Sequence, residues 1–480
     1  MATTSVPVKN YPYLLNGRFA SEGEAVEVRA PFDGEVVGTV SYGTREQAEE
    51  AIAAAERAFA TTKRLPAYER QRILRAIAEG LSKRKEEFAR LLAVEAGKPL
   101  KAARVELERA IFTFQVGAEE ATRIGGETLP LDLQPGVRGR WAILRRFPLG
   151  VVAAITPFNF PLNLAAHKLA PAIACGCSVI LKPPPQDPLT TMLLAEIVQA
   201  SGVPDGAVNI LPLENEDASL LVTDARVKLL TFTGSARAGW ELRQRAGHKR
   251  VVLELGGNAG CIVHGDTDLA FAAERCAAGG FAYAGQSCIS VQRIYVERPA
   301  LDKFTAHLVE HARNLKTGDP LDEATDVGPM ISERDAARAE EWVNEAVKGG
   351  AELMCGGHRK GSLFEPTVLA HTQAAMRVNC EEIFAPVVTV EPYDTFEEAL
   401  RRVNDTSYGL QAGLFTRDAQ RIFQAYEELE VGGVIAGDIP SFRMDHMPYG
   451  GVKESGSGRE GLKYAIEDMT ERKLLVLNVG

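Results

Sequence analysis

Gly150-Val-Val-Ala-Ala-Ile-Thr-Pro-Phe-Asn-Phe-Pro161 sets a short apolar run before a Pro/Asn turn and a helix-length segment. The same alternation repeats down to Gly257, with runs at Val151–Ile155, Ser178–Leu181, Val208–Leu211, Lys228–Phe232 and Arg250–Glu254. Short β-branched runs alternating with helical segments predict a parallel sheet wrapped by helices, the α/β class. A second alternation begins at Cys261-Ile-Val263 and continues through Ile289–Val296, Val387–Val390, Gln411–Phe415 and Gly433–Ala436. Two such units suit a chain of 480 residues, because single cores stop growing near roughly 250–300 residues.

Outward from this centre, the first third reads as mostly helical after strand-like text at Tyr13–Leu15 and Val26–Val40. Thr44-Arg-Glu-Gln47 is a capping box that starts a helix running to about Ala60. Ile73, Ile77, Leu81, Phe88 and Leu92 recur at helical spacing until Gly97-Lys-Pro99 stops them, and a further helix is expected over Leu100–Arg123. Glu127–Leu133, a Gln-Pro-Gly turn and Arg140–Phe147 read as a hairpin. A hairpin alone is marginal and must lean on something. The closing strand, Lys473–Val479, has no partner in adjacent sequence, and a sheet bridging two subunits is one solution.

Composition excludes several classes. Hydrophobic residues at 45% and charged residues at 25% are ordinary globular proportions, which removes disordered and fibrous proteins. With 54 Lys+Arg against 64 Asp+Glu, the net charge of −10 offers no basic field, so nucleic acid is not an expected partner. Seven scattered cysteines, an odd number, point to a reducing compartment rather than a disulfide framework. Met1–Phe19 carries no apolar run behind a basic patch, and no stretch approaches about 18 uninterrupted apolar residues. The expectation is a cytoplasmic protein with no membrane partner.

Phe281-Ala-Tyr-Ala-Gly-Gln-Ser-Cys-Ile-Ser290 puts Cys288 in a Gly/Ser-rich loop between a helix and a strand, where a nucleophile can be exposed yet held by rigid elements. Glu254 ends a buried-looking strand ahead of Gly256 and Gly257. Open α/β sheets place ligands at that end of a strand, and burial there would raise a carboxyl toward general-base range. Asn159 follows another strand of the same sheet, and its amide is a neutral donor suited to a developing oxyanion. Each has a plainer structural reading: a loop cysteine, a solvated strand end, a Pro/Asn turn.

The set is more specific than its members. Phe158-Asn-Phe-Pro161, Lys182-Pro183, Phe232-Thr-Gly-Ser235, Leu253-Glu-Leu-Gly-Gly257, Gly285-Gln-Ser-Cys288, Glu381-Glu-Ile-Phe384 and Pro448-Tyr-Gly-Gly-Val-Lys-Glu-Ser-Gly456 occur in this order. Together they resemble the aldehyde dehydrogenase superfamily across essentially the whole chain. Glu254 precedes Cys288 by 34 residues, a spacing similar to that family's. Tyr283-Ala-Gly-Gln-Ser-Cys-Ile-Ser290 and Phe442-Arg-Met-Asp-His-Met-Pro-Tyr449 most resemble its lactaldehyde and non-phosphorylating glyceraldehyde-phosphate branch.

The resemblance implies a Rossmann-type cofactor domain at 1–124 and 148–256, an α/β catalytic domain at 257–445, and a β-hairpin oligomerisation arm at 125–147 and 466–480 that makes a homodimer or homotetramer. It implies NAD(P)-dependent oxidation of an aldehyde to the carboxylic acid. Cys288 would attack the carbonyl, Asn159 and the Cys288 N–H would hold the oxyanion, and Glu254 would activate water on the thioester. For the cofactor, Lys182 matches the adenosine-ribose lysine, Gly234 and Ser235 the pyrophosphate contact, and Glu382 the acid on the nicotinamide ribose. Thr156, Pro157, Phe158, Gly239, Leu255, Gly256 and Phe384 complete that set. Pro185 stands where many NAD-preferring relatives carry a ribose-binding Glu, which leaves NAD or NADP open with a lean toward NADP or dual use.

Phe158, Phe160, Leu164, His167, Ser287, Ile289 and Tyr449 match the family's aldehyde tunnel, and His167 hints at a small or hydroxylated aldehyde. Relatives acting on phosphorylated or sulfonated aldehydes often carry Arg where this chain has Ser287, which counts against an anionic substrate, although Arg104, Arg109 and Arg443 remain within reach. No metal is expected. His307-Leu-Val-Glu-His311 is read as the stripe of an amphipathic connector helix, and Cys175-Gly-Cys177 as buried small residues. Two rivals stand beside the hydrolytic dehydrogenase: a coenzyme A-acylating relative, which the retained Glu254 disfavours, and a catalytically silent relative, which Cys288, Glu254 and Asn159 disfavour.

Overall fold

A computed structural model describes residues 9–479. The outer ends of the expected cofactor segment and arm, residues 1–8 and Gly480, lie outside the described residues. Five parallel strands form the heart of the first sheet: Val151–Ile155, Ser178–Lys182, Val208–Ile210, Val227–Thr233 and Arg250–Glu254. All five residues of Val151–Ile155 are buried, as an apolar run covered by helices on both faces requires. Register aligns their C-terminal ends: Ile155 pairs with Lys182 and with Phe232, and Thr233 with Glu254. One edge of the sheet that carries ligands in open α/β folds therefore presents Thr156, Lys182, Thr233 and Glu254 together.

Both ends of the chain finish this sheet. Tyr13–Leu15 and Arg18–Ala20 extend one side, while Gly456–Ser457 runs antiparallel to Leu253 and Glu254 on the other. The second sheet has seven strands, with Ala259–Val263 central between Val291–Glu297 and Gln411–Phe415. Two of its strands, Glu352–Cys355 and Thr367–Ala370, are absent from the sequence reading, because they are short and lie among Gly and Pro residues that break the pattern.

The capping box forms as expected at Thr44 and starts the helix Arg45–Thr62. The expected single run through Ile73 and Leu92 up to Gly97 is instead two helices, Ala67–Lys83 and Lys85–Ala96, parted at Arg84, whose guanidinium is held by Glu87 and Glu196. Gly97, at φ 67°, ends the second in the left-handed region that favours glycine.

Gly126–Pro130 and Arg140–Pro148 form the hairpin, and Thr470–Asn478 pairs along the whole second arm, from Thr470 opposite Pro148 to Asn478 opposite Arg140. The final strand thus finds its partner in its own chain, far away in sequence. The strand itself starts at Thr470, and just before it Ile466 and Met469 are buried in the core of the first sheet. His307 and His311 lie on the connector helix Leu301–Asn314. Among the described residues no group of His, Cys, Asp or Glu is placed to hold a metal, and no helix is long and apolar enough to cross a membrane.

Candidate active site

The two sheets meet at a cavity of about 310 Å³, within the range of small-molecule sites. Cys288, Glu254 and Asn159 all line it, brought from a loop of the second sheet and two strand ends of the first. Gly256 and Gly257 explain how the halves approach so closely. A Cβ at Gly257 would stand 2.2 Å from the Cys288 carbonyl oxygen, and one at Gly256 would stand 2.3 Å from Glu382 Oε2. Only glycine lets the strand that ends at Glu254 and the loop that carries Cys288 touch.

That loop is strained. Tyr283 and Ala284 adopt φ of 49° and 52° before Gly285 at 68°. Non-glycine residues there cost of order ~1 kcal/mol each and persist only where surroundings enforce them. The Tyr283 hydroxyl, donating to the Ala96 carbonyl at 2.9 Å, is one such enforcement. Phe384, at φ 50°, meets Phe158 edge-on across the cavity at 5.9 Å.

Asn159 Nδ2 donates to the Gln286 carbonyl at 3.2 Å, which fixes which end of the amide faces the thiol loop. Behind it, Lys98 Nζ donates to the Asn159 carbonyl at 2.8 Å and pairs with Glu106, which in turn accepts from the N–H groups of Leu162 and Asn163. This buried pair pins the turn to the helix Pro161–Cys175, and nothing in the local sequence announces it.

Glu254 is 2% exposed, and neither of its oxygens has a hydrogen-bond partner among the described residues. Burial, reinforced by Glu460, pushes its pKa well above the carboxyl range. Burial likewise pushes the Cys288 thiol up to about 12 and Glu382 to about 7.

Of the expected cofactor residues, Pro157, Phe158, Gly234, Ser235, Leu255, Gly256, Glu382 and Phe384 line the cavity. Gly239 sits one helical turn behind, where a Cβ would collide with Leu255 at 2.3 Å. Lys182 ends its strand almost fully buried, and burial lowers its pKa. Thr156 is buried against the Lys182 carbonyl, and Pro185 is exposed on the loop beyond. Ser235 caps the helix Ala236–Arg245, so the opening turn of N–H groups faces the cavity edge, the arrangement that receives phosphate. This glycine-lined approach, helix start and buried acid fit a dinucleotide.

Of the expected tunnel residues, Phe158, Phe160, Leu164, Ser287, Ile289 and Tyr449 line the cavity. His167 does not. It is 2% exposed, one layer out, with Nε2 2.9 Å from Asp445 Oδ1, and burial lowers its pKa. Arg104 is also elsewhere, held on the surface by Glu86 and Glu323. Arg109 and Arg443 are on the wall. Asp445 grips Arg109 through both oxygens, at 2.7 and 3.1 Å. Burial opposes the charge of Asp445, but His167 and Arg109 outweigh it and hold its pKa far below the usual range. Arg443 donates to Glu460 at 2.8 Å, while its buried Nε finds no hydrogen-bond acceptor among the described residues. Sequence reasoning missed Asp445, Glu460 and Lys168 entirely.

Comparison with known proteins gives the family and the fold. The aldehyde dehydrogenase family model matches residues 19–475. The chain is 45% identical over 478 residues to the 3-sulfolactaldehyde dehydrogenase of Priestia aryabhattai, covering 99% of this chain and 100% of that one. Aldehyde dehydrogenase 21 from Physcomitrella patens, solved in complex with the reaction product succinate, superposes with a TM-score of 0.97 at 45% identity, covering 99% of this chain and 100% of that one. The glyceraldehyde-3-phosphate dehydrogenase GapN of Methanocaldococcus jannaschii, complexed with NADP, gives 0.92 at 41% identity over 95% of this chain and 100% of that one. Solved relatives of this fold hold NADP or NAD+. On sequence coverage and fold alike, the chain belongs to the aldehyde dehydrogenase family, whose NAD(P)-dependent oxidation of aldehydes is its reaction.

Proposed function

We propose that this enzyme oxidises a small, hydroxylated aldehyde that bears an acidic group at its far end, with water as the final acceptor of the acyl group. The observation that carries the acidic group is Arg443 Nε on the cavity wall beside Arg109, which has no hydrogen-bond acceptor among the described residues and stands 4.0 Å from Asp445 Oδ1. A buried guanidinium N–H without an acceptor costs free energy unless a ligand supplies one. Around it three cations, Arg109, Arg443 and Lys168, face two carboxylates, Asp445 and Glu460, so the cluster has room for one more negative charge. Ser287, which argued against an anion, is outweighed by these two arginines. Sulfolactaldehyde and succinate, named for two of the relatives, both carry such a group.

In this reading the Cys288 thiolate bonds to the aldehyde carbon, and the second Nδ2 hydrogen of Asn159 and the Cys288 N–H receive the oxyanion. The bound nicotinamide supplies a hydride acceptor. Ser235 and the helix start behind it would hold the pyrophosphate, Glu382 the nicotinamide ribose and Lys182 the adenosine ribose. Glu254, its carboxyl raised by burial, then takes a proton from water as that water attacks the thioester, and the acid leaves. A coenzyme A acceptor would leave Glu254 without a task. Pro185 offers no carboxylate to repel a 2′-phosphate, so NADP is accepted alongside NAD. Pro185→Glu should cut kcat/KM for NADP about tenfold while sparing NAD.

Exposed Trp141, Leu474, Leu475 and Val476 on the arm support association into a dimer or tetramer, which light scattering would measure. Seven unpaired cysteines fit the cytoplasm. The deciding experiment compares initial rates for matched aldehydes with and without a terminal carboxylate, sulfonate or phosphate. Acid-bearing members should lead by about a hundredfold in kcat/KM, as for a buried charge-assisted pair. A neutral aldehyde at the top of the series would overturn the reading.

A further inference from the structure

Tyr449 stands closer to the reacting sulfur than lining a wall requires. Its hydroxyl oxygen is 2.9 Å from Cys288 Sγ. The backbone beneath is pinned by reciprocal hydrogen bonds: Tyr449 N–H to the Glu460 carbonyl at 3.1 Å, and Glu460 N–H to the Tyr449 carbonyl at 2.7 Å. Over the ring, the Arg443 guanidinium carbon lies 3.7 Å from the centroid, held there by the ion pair with Glu460. A cation on the ring face draws electron density from the phenol and makes its O–H a stronger donor.

The direction of the hydrogen bond follows from the two groups. A thiolate can only accept, and burial pushes the Tyr449 phenol well above its usual range, so it keeps its proton and donates. Cys288 needs such help. Burial raises it, Glu382 and Glu254 raise it further, and the hydrogen bond from Tyr449 and the charge of Arg443 pull the other way.

We infer that Tyr449 is a further catalytic residue, whose O–H, strengthened by Arg443 stacked on its ring, stabilises the thiolate form of Cys288 that attacks the aldehyde. This rests on Cys288 being the nucleophile. No proton passes between the two groups. As the sulfur–carbon bond forms, sulfur gives up its negative charge and the hydrogen bond slackens, so the hydroxyl is released toward the substrate during attack. Stabilising a thiolate also blunts it. With a Brønsted slope of about 0.4–0.5, a tenfold gain in thiolate population gives back roughly threefold in reactivity. The net gain is therefore about threefold.

Tyr449→Phe keeps the ring and its stacked cation and removes only the hydroxyl. The rate at which iodoacetamide alkylates Cys288 in the full-length enzyme, resolved from the other six cysteines by peptide mass spectrometry, should fall about threefold at neutral pH. Its pH–rate limb should move to higher pH while the melting temperature holds. Arg443→Lys, which keeps the charge but not the planar stack, should move the limb part of the way. An unmoved limb in Tyr449→Phe would overturn the inference. Cys288→Ser in the same preparation separates the two readings. If it still turns over aldehyde, the nucleophile assignment fails; if it is dead and the Tyr449→Phe limb is unmoved, only the role of Tyr449 falls.

Discussion

Glu254 and Glu460 line one cavity, are 2% and 4% exposed, and have their pKa values pushed in opposite directions. Glu254, at the strand end, has both oxygens unpartnered and is pushed toward its neutral form. Glu460 meets Arg443 at 2.8 Å and Lys168 at 3.5 Å, and although burial opposes its charge, Lys168 and Arg443 hold its pKa at about 2. Burial is common to both, so partners decide. An unpaired buried carboxyl is a proton-transfer group, whereas a paired one is a fixed charge. The first side of the cavity is built to change state and the second to remain charged.

The comparison can be broken at several points. Glu254→Gln should cause the largest loss, about a thousandfold in steady-state turnover, with one equivalent of reduced cofactor per site released before the acyl-enzyme stalls. Rapid-mixing absorbance would read the burst, and its absence with full turnover would remove Glu254 from its role. Glu460→Gln strands two buried cations and should cost about 3 kcal/mol in denaturant unfolding. It also removes an anion that raises Glu254, so the pH–rate limb of deacylation should shift toward acid. The sign is fixed: a raised carboxyl gains its basic form as pH rises, so deacylation climbs with pH, and lowering that pKa brings the climb earlier. Asp445→Asn, which frees Arg109, should lower kcat/KM about tenfold for acid-bearing aldehydes and little for neutral ones. Lys168→Met should give the smallest effect, moving the Glu254 limb slightly toward alkali, the reverse of Glu460→Gln.

The legible and the illegible parts of this molecule divide along the same line. The five strands from Val151 to Glu254, the thiol loop and the strand-end Glu254 are local patterns, and each lies where the pattern puts it. Their burial and environment depend on the strand they belong to. Glu460, by contrast, owes its state to residues at 168 and 443, and Asp445 to residues at 109 and 167. No periodicity joins positions so far apart. His167 shows the cost: matched to the family's tunnel by resemblance, it faces Asp445 instead, while Asn163 and Leu164 of the same helix take the wall. Arg84 failed differently, since apolar spacing continues through a break made by polar side chains on the surface.

Gly456–Ser457 completes the first sheet beside Glu254, and Thr470–Asn478 completes the arm. A chain emerging from the ribosome makes the five parallel strands of the first sheet early, yet their edge beside Glu254 stays unpaired until Gly456 and Ser457 are made about 200 residues later. The carboxyl at that edge, and the wall formed by Arg443, Tyr449 and Glu460, come together only then. The half that is synthesised first is finished last, and a truncated chain has a sheet edge open to pairing with another chain in place of a catalytic cavity.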